Sequence, residues 1–250
     1  MAMYFAGVDL AWGGRNPTGV AIVGSDGRLV SACAVRDDAE ILAALGPYVC
    51  GECVVGFDAP LVVNNPTGQR PAEAALNRDF RRYEAGAHPA NTGKPEFAHG
   101  PRGGRLAAAL DLDMDPYAPG TRRAIEVYPH AATVALFRLA RTLKYKAKPG
   151  RDLDQLKSEL LLLMGGIEKL AHAPVPLQVA GHADWVELRR QVVTAERKSA
   201  LRRAEDPIDA VVCAYVALYA QRRPTDITIY GDSATGYIVT PSLPPDPVRL

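Results

Sequence analysis

Three short apolar runs in this chain each end in an acid: Gly7-Val8-Asp9, Gly56-Phe57-Asp58 and Ala124-Ile125-Glu126. Runs of this length and composition read as buried strands. An ionised carboxylate in such a strand is costly unless it is paired or holds a metal. In an open α/β sheet, the carboxyl ends of parallel strands lie along one edge, where ligands bind. Strands spaced about 4.8 Å apart would set the three acids in a row, close enough to share one or two hard cations through oxygen ligands. The pattern therefore calls for an α/β sheet with these strands adjacent.

The segments around them fit that demand. Tyr4–Leu10 and Thr18–Val23 read as strands separated by a turn cluster from Trp12 to Pro17. Ser25-Asp26-Gly27-Arg28 then makes a tight reversal, so Leu29–Val35 pairs antiparallel with the second strand. A helix over Asp37–Leu45, stopped by Gly46-Pro47, leads to a fourth strand at Val54–Asp58. A right-handed crossover of this kind makes the fourth strand parallel to one of the meander. Helices are expected at Pro71–Tyr83, His130–Leu143, 152–164 and 183–203, with a strand at Arg123–Tyr128. Residues 86–105 read as a long mobile loop. The last helix should begin with Asp206 as N-cap and Pro207 in its first turn, and run to Arg222. Ile227–Tyr230 and Tyr237–Thr240 suggest a closing hairpin. The whole of 1–250 reads as one domain with a loop and helix insertion at about 64–120.

Each acid also has a structural reading. Asp9 can cap a turn, Asp58 can start an Asx-turn before Pro60, and Glu126 can pair with Arg122 or Arg123. Three such acids together favour a site. Asp209 is a candidate fourth ligand, although an acid in a first helical turn also suits the helix dipole. It ranks above Asp206, whose capping role already accounts for it. Cys50 and Cys53 form a lone CxxC with no second ligand pair for zinc. The five histidines lack metal-ligand spacing, and His130 is a weak proton-shuttle candidate. The formal net charge of +1 excludes a general basic field for coating nucleic acid. With no visible signal peptide and no apolar run long enough to span a bilayer, the expected location is cytoplasmic.

The series Gly7-Val8-Asp9-Leu10-Ala11-Trp12, Thr18-Gly19-Val20-Ala21, Phe57-Asp58-Ala59-Pro60-Leu61, Ile125-Glu126-Val127-Tyr128-Pro129 and Asp209-Ala210-Val211-Val212-Cys213-Ala214-Tyr215 resembles domain-of-unknown-function family 429. That family is regarded as one of RNase H-like nucleases. Arg70, Arg81-Arg82, Pro89-Ala90-Asn91 and Tyr145-Lys146 also resemble its pattern. The resemblance implies an RNase H-like mixed five-stranded sheet of order 3-2-1-4-5 with helices on both faces, and it strengthens Asp209 as a ligand. It implies a metal-dependent phosphodiester hydrolase, a nuclease in which Asp9, Asp58, Glu126 and Asp209 hold two Mg²⁺ or Mn²⁺ ions. Arg70, Arg81 and Lys146 would then meet the phosphates of a nucleic acid or nucleotide. Arg102 and Arg105 fit a solvated or flexible segment better. An actin-like phosphotransferase is the first rival, with Gly13-Gly14 and Thr18-Gly19 cradling phosphate. A non-catalytic binding module that keeps the fold is the second.

Overall fold

Alternation of inward and outward side chains decides how the sheet is covered. The computed structural model describes residues 2–12, 17–118 and 120–244. β1 (Tyr4–Asp9), β2 (Thr18–Gly24) and β3 (Leu29–Val35) form the meander. β2 is buried along its whole length and lies between the other two. α1 (Asp38–Val49) crosses over to β4 (Cys53–Phe57), which pairs parallel with β1, and β5 (Arg122–Glu126) pairs parallel with β4. The sheet order is β3-β2-β1-β4-β5, as the resemblance implied.

Asp37 caps α1 by accepting from the Glu40 amide. The helix does not stop at Leu45 but continues through Pro47 to Val49. Ile41, Leu45 and Val49 form one buried stripe on it, and that burial outweighs the hydrogen bond Pro47 cannot make.

Between β4 and β5 lie α2 (Pro71–Phe80), a 3₁₀ turn at Arg81–Tyr83, another at Pro95–Phe97, and α3 (Arg102–Ala109). The stretch read as a loop is thus partly helical, and it is anchored by buried Ala90 and Phe97. Phe97 packs on Trp12 with ring centroids 5.2 Å apart.

α4 (Pro129–Phe137) is shorter than expected because Arg138 turns left-handed, φ 53°. α5 (Leu153–Lys169) and α6 (Ala183–Thr194) follow, then α7 (Lys198–Arg222). α7 lies across β1, β2 and β4 on one face of the sheet, with α5 and α6 against it, while α1 packs against β1 and β2. β6 (Ile227–Asp232) and β7 (Gly236–Pro241) form the closing hairpin, joined to the end of β5 through Val127 and Val239. Among the described residues no helix is long and apolar enough to cross a membrane.

Candidate functional site

β1 and β4 run in register, Val8 opposite Phe57, and the Asp58 amide donates to the Val8 carbonyl at 2.8 Å. Asp9 and Asp58 are therefore partners at the carboxyl ends of adjacent parallel strands, with side chains on one face. That face also carries Gly7, two residues before Asp9. A Cβ on Gly7 would stand 2.0 Å from the Ala210 carbonyl oxygen of α7, and one on Gly19 would stand 1.9 Å from that of Asp206. The missing side chains let α7 lie directly on the strands, and this close approach brings Asp206 and Asp209 to Asp9.

Sequence signals place the start of that helix at Asp206, but α7 begins at Lys198, and Pro207 sits inside it. Burial of Leu201, Ala204, Ile208 and Val211 carries the helix through the proline. Asp206 is consequently no N-cap, and its carboxylate faces the site instead.

One ammonium is shared among these acids. Lys146 Nζ lies 3.3 Å from Asp9 Oδ2, 2.5 Å from Asp209 Oδ2 and 3.8 Å from Asp206 Oδ1. The contact to Asp209 Oδ2 is the shortest of the three, and this oxygen is buried. Asp209 Oδ1 accepts from the Tyr145 hydroxyl at 2.8 Å. Glu205, one turn before Asp209, is also buried, with Oε1 unpartnered.

Burial drives the electrostatics. It raises the Asp9 carboxyl well above its ordinary range; Lys146 opposes the rise, and Asp209, Asp58 and Asp206 add to it. Asp58 is pushed up to about 7 by burial and by repulsion from Asp209 and Glu126, against the pull of Lys146. Glu205 also reaches about 7, chiefly through burial. Burial works against the Lys146 ammonium, but Asp209 and Asp9 outweigh it and hold the group firmly protonated.

A profile of the family described as "Protein of unknown function (DUF429)" matches residues 7–234. The chain belongs to the DUF429 family. No curated protein and no solved structure shows significant similarity to it. The matched span of this DUF429 chain includes all four aspartates and Lys146.

Glu126 does not join the aspartates. It stands opposite Phe57 in the β4–β5 register, one residue out of step with Asp58, so it projects to the other face. There it accepts from Arg70, Nη2 to Oε1 at 2.5 Å and Nη1 to Oε2 at 2.9 Å, and from the Leu61 amide at 3.1 Å. Burial raises its carboxyl, and Arg70 pulls against the rise.

Arg70 is only 1% exposed and also donates to Glu73 at 2.8 Å, so the phosphate contact expected of it is replaced by an internal ion pair. Arg81 is exposed on the turn after α2 and makes no ion pair with the aspartates. Lys146, expected at the rim, stands among the carboxylates. Arg102 is buried rather than solvated; it bonds Asp38 and the Ala11 carbonyl, pinning α3 near the end of β1.

His130 is half-buried between Tyr128 and Tyr145, its Nδ1 3.1 Å from Thr142 Oγ1. Burial lowers its pKa to about 4, so it is neutral at pH 7. Cys50 and Cys53 are free thiols. Gly13 and Gly14, the phosphate turn of the actin-like reading, lie outside the described residues.

In donor chemistry the aspartate oxygens suit a hard cation, and beside them lies a cleft of about 50 Å³ lined by Asp58 on one side and by the Arg70, Glu73 and Glu126 ion pairs on the other. Among the described residues, no three His, Cys, Asp or Glu side chains form a ready-made metal-binding group. The cation these aspartates share is the Lys146 ammonium. Tyr145, Asp206 and Glu205 complete the cluster beyond the acids singled out in the sequence. The Glu205/Asp209 spacing on one face of a buried helix is the signal that points to them.

Proposed function

We propose that this DUF429 protein is an RNase H-like, divalent-metal-dependent phosphodiester hydrolase acting on a nucleic acid or nucleotide. One observation carries the reading. Asp9 and Asp58, at the carboxyl ends of adjacent parallel strands, lie beside Asp209 on the helix laid across them, and the Lys146 ammonium pairs with Asp9 and Asp209.

Asp9, Asp58 and Asp209 are the residues that would hold Mg²⁺ or Mn²⁺, with Asp206 beside them. Such an ion supplies charge neutralisation at a phosphoryl oxygen and lowers the pKa of water. The chain's own groups prepare the site. Tyr145 fixes the orientation of Asp209 through its hydroxyl. In the metal-free site burial pushes the Asp58 carboxyl up to about 7, so at neutral pH it would give up its proton on metal binding. The cleft beside Asp58 has room for small ligands such as water and is too small for a nucleotide, so a polymer approaches from solvent. Arg70 and Glu126 support the reaction from the other face, tying the Leu61 amide and the start of α2 to β5.

The test is cleavage of branched, structured and single-stranded nucleic acids with Mn²⁺, wild type against Asp9→Asn. Wild-type cleavage lost by roughly a hundredfold in the variant supports the reading; equal residual cleavage in both sinks it. The lack of a ready-made ligand group favours a second reading, a binding module in which Lys146 is the permanent counter-ion. That reading predicts no Mn²⁺ binding at all.

A further inference from the structure

Lys146 occupies the place that the proposed reaction would give to an ion. Among the described residues it is the cation in ion-pair contact with Asp9, Asp206 and Asp209. Four aspartates gathered near one monovalent charge repel one another whenever they ionise, and a divalent ion would compensate their ionised forms better than an ammonium. Asp209 Oδ2 is buried and lies 2.5 Å from the ammonium, so a divalent ion reaches this oxygen only by taking it over from Lys146. The ammonium donates to Asp9 Oδ2 at 3.3 Å.

The lysine is also carried where it can leave. It belongs to the irregular strap between α4 and α5, and its side chain is 30% exposed. The strap is fixed by groups other than the ammonium. The Lys144 amide donates to Glu159, Arg151 donates to the Lys146 carbonyl at 2.7 Å, and the Tyr145 hydroxyl donates to Asp209. Swinging the side chain outward leaves these bonds and every helix and strand intact.

We propose that Lys146 is a built-in counter-cation that holds the aspartates together without metal and must withdraw when a divalent ion binds. This inference rests on the metal-dependent reading above. Lys146 thereby sets the affinity of the site: the apparent affinity for metal is the intrinsic one multiplied by the fraction of molecules in which the ammonium is out. Once withdrawn, the ammonium lies at the solvent edge of the cluster.

The test uses Mn²⁺ alone, titrated calorimetrically into full-length wild type, Lys146→Met and Lys146→Arg. Lys146→Met should bind Mn²⁺ tighter than wild type by on the order of tenfold and gain more in melting temperature from Mn²⁺. Lys146→Arg should bind no tighter than wild type. Equal or weaker binding by Lys146→Met overturns the displacement while leaving the metal reading intact. No binding by any of the three removes both.

If Lys146→Met does not fold without metal, the wild type still decides. Amine-selective labelling of Lys146, followed by mass spectrometry, should rise several-fold with saturating Mn²⁺, with Lys169 as the internal control. Labelling unchanged by bound Mn²⁺ overturns the proposal.

Discussion

Arg70 holds Glu126 with both terminal nitrogens, at 2.5 and 2.9 Å, while its Nε holds Glu73 at 2.8 Å, and all three side chains are buried. Removing the guanidinium strands two carboxylates in a low-dielectric interior. Arg70→Met should therefore cost about 3–5 kcal/mol, read from urea unfolding. Glu126→Gln should also lower stability yet leave Mn²⁺ affinity unchanged, because both oxygens of Glu126 are taken by Arg70. A loss of Mn²⁺ binding in Glu126→Gln would return this residue to the ligand set.

Much of this arrangement is legible before any coordinates, and the exceptions have physical causes. β3 has the bounds its turn signals mark, and the meander and crossover make β4 parallel to a strand of the meander, while the full order β3-β2-β1-β4-β5 is implied by the family resemblance. Asp9 and Asp58 lie together because each closes an apolar run on neighbouring strands. Glu126 closes a similar run, but the end of a run does not state its register, and an offset of one residue turns a side chain to the opposite face. Pro207 is a start signal for a helix, yet the buried stripe on either side of it extends α7 back to Lys198. That extension frees Asp206 from capping. Lys146 stands in a basic, irregular stretch, and only the fold's closure brings that stretch onto the acids.

Tyr145 and Asp209 offer a second measurement. The hydroxyl satisfies Asp209 Oδ1 at 2.8 Å, and Oδ2 lies 2.5 Å from the Lys146 ammonium. Tyr145→Phe leaves Oδ1 of a buried carboxylate without its hydrogen bond. The expected loss is about 1–3 kcal/mol in thermal or chemical unfolding. A Tyr145→Phe protein as stable as wild type would show that Asp209 is solvated.

Stability in metal-free buffer should fall between pH 6.5 and 8. Asp58 rises from an ordinary 3.8 to about 7 in the folded chain, and Glu205 from 4.5 to about 7. The folded state binds these protons more tightly than the unfolded one. The stability they contribute is fully present below the unfolded values and is lost as pH rises through about 7. His130, lowered to about 4 from 6.5, has the opposite sign and offsets part of the decline until about pH 7.5, above which it is neutral in both states. Urea midpoints measured across this window should decline, and Asp58→Asn should flatten the decline. A slope equal to wild type in that variant would mean that Asp58 ionises at its ordinary value.

The seating of α7 on the sheet gives a pair of glycine substitutions with opposite signs. At Gly7 a methyl group would meet the Ala210 carbonyl oxygen at 2.0 Å and the Ala214 amide nitrogen at 2.3 Å. Both are backbone atoms of a helix and cannot rotate aside, so the helix must lift. Gly7→Ala should cost at least the upper end of about 1–3 kcal/mol, and it should weaken Mn²⁺ binding because Asp209 moves away from Asp9. Gly165, within α5, has nothing within 4 Å of the same position. There the methyl group restricts the unfolded chain without meeting a neighbour, so Gly165→Ala should stabilise by about 0.5–1 kcal/mol. Melting temperatures of the two variants should therefore move in opposite directions from wild type. A Gly7→Ala protein that melts at or above wild type would show that α7 does not rest directly on β1.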